Sequence, residues 1–212
     1  MIISFSFLSI LNEDYESSIK KFNELDNTNW IHFDVMDGYF VENKTFDFNL
    51  VSEINKYNRL YSDVHLMVDN PSEFIKEYKN AKTDSLTFHY EAVKKDDIKD
   101  IILKIKSYGM KAGISINPDT DVTVLNDYLD ELDCILIMSV VPGKGGQKFI
   151  DNALDKIRYL KKLQPNYHYL ISVDGGINNE TSKIVKEAGA DIICVGSYLA
   201  NNLNIETINK LK

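Results

Sequence analysis

Short apolar, β-rich runs alternate along this chain with longer polar stretches whose apolar residues recur every three or four positions. The short runs cover 2–6, 30–35, 61–66, 85–89, 111–115, 134–138, 169–174 and 192–196, and they predict strands. Between them, 15–25, 71–78, 96–108, 153–163 and 181–188 present one apolar face each and predict helices. Asn70 ahead of Pro71 predicts a helix cap, while Gly109 and Gly189 predict helix ends just before the next strand. The tail, 201–212, reads as a last helix with a polar start. Strands of near-continuous Val, Ile and Leu imply burial on both faces, hence a parallel sheet with right-handed crossovers. An open doubly wound sheet shares this alternation, but eight units of about 25 residues fit barrel closure better. The expectation is an α/β chain forming a single-domain (β/α)8 TIM barrel over residues 1–212.

Composition narrows the function. A chain of 212 residues with 44% apolar positions can form one barrel with a self-sufficient core. A net charge of −8 argues against nucleic acid as the main partner, because phosphate backbones reward clustered Lys and Arg. The apolar stretch 1–11 lacks a basic leader and a small-residue cleavage site, so it reads as a first buried strand. No apolar stretch approaches the ~20 residues needed to span a bilayer, which predicts no membrane association. Cys134 and Cys194 lie inside apolar runs without metal-ligand spacing and predict buried thiols in a reducing cytoplasm.

Chemistry gathers at the strand ends. His32 and Asp34 are two apart on a strand and share a face, leaving Phe33 on the other side. His65 closes the third run and Asp174 the seventh, where a barrel collects its active site. A lone His or Asp in such a place is usually hydrogen-bonded or a cap. Two imidazoles and two carboxylates together suit one divalent ion, with Zn, Fe(II), Mn or Co all acceptable to that donor set. His89 reads as structural or as support behind the ligands, and His168 as a surface loop residue. The glycines Gly143, Gly145 and Gly146 follow the sixth strand, Gly175 and Gly176 the seventh, and Gly196 with Ser197 the eighth. Singly such glycines make tight turns; three successive loops of them predict a phosphate cradle. Lys144 either adds a cation to it or faces solvent.

The strings His32-x-Asp34-Val35-Met36-Asp37-Gly38-x-Phe40-Val41, Asp63-Val64-His65-Leu66-Met67-Val68, Pro142-Gly143-x-Gly145-Gly146-Gln147-x-Phe149-Ile150, Val173-Asp174-Gly175-Gly176-Ile177 and Gly196-Ser197 resemble ribulose-phosphate 3-epimerase. Ser6-Phe7-Leu8-Ser9 is similar to that family's opening serine strand, so the likeness spans nearly the whole chain. It implies a barrel of the ribulose-phosphate-binding type that interconverts D-ribulose 5-phosphate and D-xylulose 5-phosphate at C3. It further implies one divalent ion on His32, Asp34, His65 and Asp174, with Asp34 and Asp174 as paired acid/base groups acting through an enediolate. By the same likeness Ser6 and His65 contact substrate, Gly143 to Gly146, Gly176, Gly196 and Ser197 hold its phosphate, and Met36, Met67 and Met138 cushion the reacting atoms. Read without it, the methionines are core. The family commonly carries other residues where Glu42, Val141 and Lys144 stand, which bears on the phosphate loop and on a mobile loop near 41–45. A six-carbon ketose phosphate such as allulose 6-phosphate is the alternative substrate, and a non-catalytic sugar-phosphate binder the alternative role. Homo-oligomers are common among such proteins.

Overall fold

Eight strands, β1 (Ile2–Ser6), β2 (Trp30–Met36), β3 (Tyr61–Met67), β4 (Ser85–His89), β5 (Lys111–Ile116), β6 (Cys134–Met138), β7 (Leu170–Asp174) and β8 (Ile192–Val195), pair in parallel and in chain order. The pairing of β1 with β8 closes the barrel, as expected. This computed structural model describes residues 1–11, 14–25 and 29–212. The helices are α1 (Tyr15–Leu25), α2 (Phe48–Ile54), α3 (Ile75–Asn80), α4 (Ile98–Ser107), α5 (Asn152–Leu163), α6 (Thr181–Ala188), α7 (Ser197–Ala200) and α8 (Ile205–Leu211). None is long and apolar enough to cross a membrane.

The reason expected for the parallel sheet, near-continuous apolar strands, holds for β6 and fails for β2 and β3. Those strands alternate, and their polar residues face the barrel interior instead of water. Outward-facing Ile31, Phe33 and Val35 are buried in the main core, with Phe33 5.5 Å from the ring of Phe7 and 6.1 Å from that of Phe46. Inward, the register sets His32 beside Asp63, Asp34 beside His65 and Met36 beside Met67. Each fully buried Ile or Phe on the outer face contributes about 1.5–3 kcal/mol. The layer between sheet and helices therefore holds the barrel together, and its interior is left to a polar network beside a small cluster of Leu136, Met138, Val140 and Cys194.

The crossovers depart from the sequence reading in four places. Helix α2 was not anticipated; its seven residues bury only Val51 and Ile54, and Asp47 starts it by accepting from the Asn49 N–H at 3.0 Å. The helix expected over 71–78 divides into a 3-10 turn, Pro71–Glu73, followed by α3. Asn70 does not cap it: its φ is 52° and its side chain bonds no helix N–H, because the proline after it disfavours the right-handed helical region and Asn tolerates the left-handed one. Between β5 and β6, where no helical segment was singled out, the chain forms a 3-10 turn, Val122–Leu125, and buries Leu125, Tyr128, Leu129 and Leu132. The tail forms a turn before α8, whose first turn is capped by Asn204 accepting from Thr207 N–H at 2.9 Å. Gly189 ends α6 at φ 114°, as its place in the sequence predicted.

Candidate active site at the carboxyl end of the barrel

The ends of β2, β3 and β7 bring His32, Asp34, His65 and Asp174 together, with one potential ligand atom from each lying within 4.8 Å of all the others. Asp34 Oδ1 is 3.2 Å from His32 Nε2 and 3.2 Å from His65 Nδ1. Its other oxygen accepts from the Ser6 hydroxyl at 2.8 Å, so β1 fixes the carboxylate's rotation. Asp174 closes β7, whose end is tied to β6 where the Ser139 backbone N–H and hydroxyl donate to the Asp174 carbonyl at 2.8 and 2.9 Å.

Each histidine is held from behind. His32 Nδ1 lies 2.8 Å from Asp63 Oδ2, and Ser85 Oγ donates to Asp63 Oδ1 at 2.5 Å. That places a proton on His32 Nδ1 and aims Nε2 into the quartet. Among the described residues this buried Nε2 makes no hydrogen bond. An orphaned imidazole nitrogen facing two carboxylates and a second imidazole has the chemistry of a divalent-cation site, so the quartet fits such an ion. Asp63 was not singled out in the sequence, although it stands two residues before His65 and so shares its face. His89 lies behind His65 with their Nε2 atoms 2.8 Å apart, in keeping with the supporting place expected of it, and His168 is exposed.

Electrostatics separates the two carboxylates. Burial, then the charge of Asp34, pushes Asp174 up to about 7. Burial works in the same direction on Asp34, but the imidazoles of His32 and His65 packed against it outweigh burial and hold that carboxyl far below the usual range. Burial lowers His65 to about 4 against the pull of Asp34, so its ring is neutral and can present a lone pair.

Above the quartet opens a cavity of about 750 Å³. Ser6, Asp34 and Asp174, Met36, Met67 and Met138, and all of Gly143, Lys144, Gly145, Gly146, Gly175, Gly176, Gly196 and Ser197 line it. The loop glycines differ in kind. A Cβ on Gly175 would meet Val140 at 2.4 Å and one on Gly176 the Phe149 backbone nitrogen at 2.5 Å, both at positive φ. Close packing alone demands them. Gly145 and Gly146 have nothing within 4 Å of such a Cβ, so open space adjoins their backbone. Lys144 is exposed at the rim. The 41–45 segment, implied to be mobile, is pinned where Asn43 Nδ2 donates to the Gly143 carbonyl at 2.5 Å and Thr45 Oγ1 to that of Asp34 at 2.8 Å. Cys194 is a buried free thiol, as expected, yet it also borders the cavity, 3.6 Å from His32 Nδ1.

The chain matches the ribulose-phosphate 3 epimerase family over residues 2–200. It belongs to that family. A ribulose-phosphate 3-epimerase of Bacillus subtilis is 39% identical over 194 residues, covering 89% of this chain and 88% of that protein. One from Chlamydia pneumoniae is 38% identical over 185 residues, 84% of this chain and 80% of its own. Among solved structures, the tryptophan synthase A-subunit of Pyrococcus furiosus superposes with a TM-score of 0.70 at 16% identity, covering 100% of this chain and 96% of that one, a likeness of fold alone. For a member of the epimerase family the quartet is the place to look for the chemistry.

Proposed function

We propose that this enzyme inverts C3 of D-ribulose 5-phosphate to give D-xylulose 5-phosphate, with Asp34 and Asp174 alternating as base and acid through an enediolate. The observation that carries the reading is the convergence of His32, Asp34, His65 and Asp174, with the two carboxylates bordering the cavity and the two imidazoles buried behind them, in a chain that matches an epimerase family. Inverting a carbon beside a ketone requires taking its proton from one face and returning one to the other. Two carboxylates on different walls meet that need: Asp34 ends on β2 and Asp174 on β7, three strands apart around the closed sheet. Their unlike environments suit unlike protonation, Asp34 ionised and Asp174 pushed up to about 7.

The quartet would hold one divalent ion, Zn, Fe(II), Mn or Co, which when bound supplies Lewis-acid polarisation of the substrate ketone. The Ser6 hydroxyl orients Asp34 and borders the substrate cavity, whereas His65, expected to touch substrate as well, is fully buried and outside the cavity lining. Backbone N–H groups of Gly143 to Gly146, Gly176, Gly196 and Ser197 would grip the phosphate, with Lys144 at the rim and Gly175 shaping the turn. Anchoring that remote group orients the reacting carbon. Met36, Met67 and Met138 cover it with apolar surface and exclude water. One barrel over 1–212 carries the activity on a small ketose phosphate, in a homo-oligomer. Two buried free thiols support a reducing compartment, the cytoplasm.

Initial rates on D-ribulose 5-phosphate and on six-carbon D-allulose 6-phosphate test the substrate. Faster turnover of the five-carbon sugar is expected, and a clear preference for the longer one would overturn the assignment.

A further inference from the structure

Behind His65 runs a second line of contacts that the proposed chemistry does not use. His89 is fully buried, stacked on His65 with ring centroids 4.9 Å apart and against Phe40 at 4.7 Å. Its Nε2 faces His65 Nε2 at 2.8 Å, and its Nδ1 faces Glu91 Oε2 at 3.2 Å. The other Glu91 oxygen accepts from the Asn117 N–H at 2.8 Å and from the Thr120 hydroxyl. Two donors on one oxygen favour an ionised carboxylate, and the Glu91 pKa is lowered, with its burial outweighed by these bonds and that from His89.

One consistent arrangement of protons follows from these contacts. An ionised carboxylate only accepts, so His89 Nδ1–H donates to Glu91. With that single proton on His89 its other nitrogen carries the lone pair, so His89 Nε2 accepts and His65 Nε2–H donates to it. His65 Nδ1 is thereby left bare, 3.2 Å from Asp34 Oδ1 in the quartet. With the opposite tautomer, Nδ1–H would point at Asp34 and leave no lone pair for a cation in the quartet.

We infer that His89 and Glu91 are positioning residues that lock His65 into its Nε2–H tautomer and keep Nδ1 available as a ligand, while Asp63 sets the opposite tautomer on His32. Availability to a cation rests on the proposed metal site; the tautomer itself does not. Side-chain ¹⁵N spectra of the whole protein, without added metal, read the tautomer directly. Wild type should show a protonated Nε2 and a bare Nδ1 on His65; a protonated Nδ1 overturns the inference. Zn²⁺ affinity by chelator competition supplies the second readout. His89→Leu should weaken it about 10- to 100-fold, the usual effect of removing a group that orients a ligand. His89→Gln, whose amide oxygen can accept from His65 Nε2–H, should recover most of that loss. Equal affinities in His89→Leu and wild type overturn the inference, as does a Gln variant no better than Leu. If wild type takes up no Zn²⁺ but shows the stated tautomer, the metal reading fails while the proton assignment stands.

Discussion

At the scale of single residues, the proposed scheme has Asp34 and Asp174 divide the work because their surroundings divide their pKa values. Replacing either by Asn keeps shape but removes a proton carrier, so turnover should fall by at least about 10³, with inorganic phosphate still competing for the cavity. Steady-state kinetics with phosphate as inhibitor check this; near-normal turnover in either variant contradicts a two-base scheme. Metal ligands must be deprotonated to bind. With Asp174 pushed up to about 7 and His32 raised well above the ordinary imidazole value, protons compete with the cation through neutrality and beyond, so Zn²⁺ affinity should rise with pH across that range. Competition titrations across that range test the sign, and an affinity flat with pH contradicts it. His32, Asp34, His65 and Asp174 were legible in the sequence because strand period and strand ends place them. Asp63 and Glu91 were not, since whether a carboxylate backs a histidine depends on register between strands and on loop course. Burial of Asp63 at a pairing position beside His32 is a property of the closed sheet.

At the scale of elements, the loop after β7 is constrained by packing before any ligand is considered. Gly176 has φ 64°, and a methyl there would meet Phe149 backbone, which cannot swing aside as a side chain could. Gly176→Ala should therefore cost at least about 2 kcal/mol, lowering Tm by about 5 °C in a chain of this size. Gly145→Ala, with open space around it, should leave Tm nearly unchanged. Thermal denaturation of both separates structural from ligand-facing glycines, and equal losses would show the distinction to be wrong. All eight strands were readable from apolar runs, to within a residue at their ends. Crossovers were less so. α2 has too few turns to show a period, and the segment between β5 and β6 buries helix-spaced Val122, Leu125, Leu129 and Leu132 without forming a helix.

For the whole molecule, outward apolar side chains hold the barrel closed while inward polar ones build a site above it, an arrangement that frees stability from chemistry. The expectation of two-sided apolar strands missed this because the sequence pattern of β2 and β3, alternating apolar and polar, is also that of a half-solvated strand. Only closure turns the polar side inward. The most direct test of the central claim, proton removal on one face and return on the other, is the fate of the C3 hydrogen. D-Ribulose 5-phosphate turned over in D2O should give D-xylulose 5-phosphate carrying deuterium at C3, measured by NMR. Product that keeps its original hydrogen there, or no epimer at all, would contradict the account.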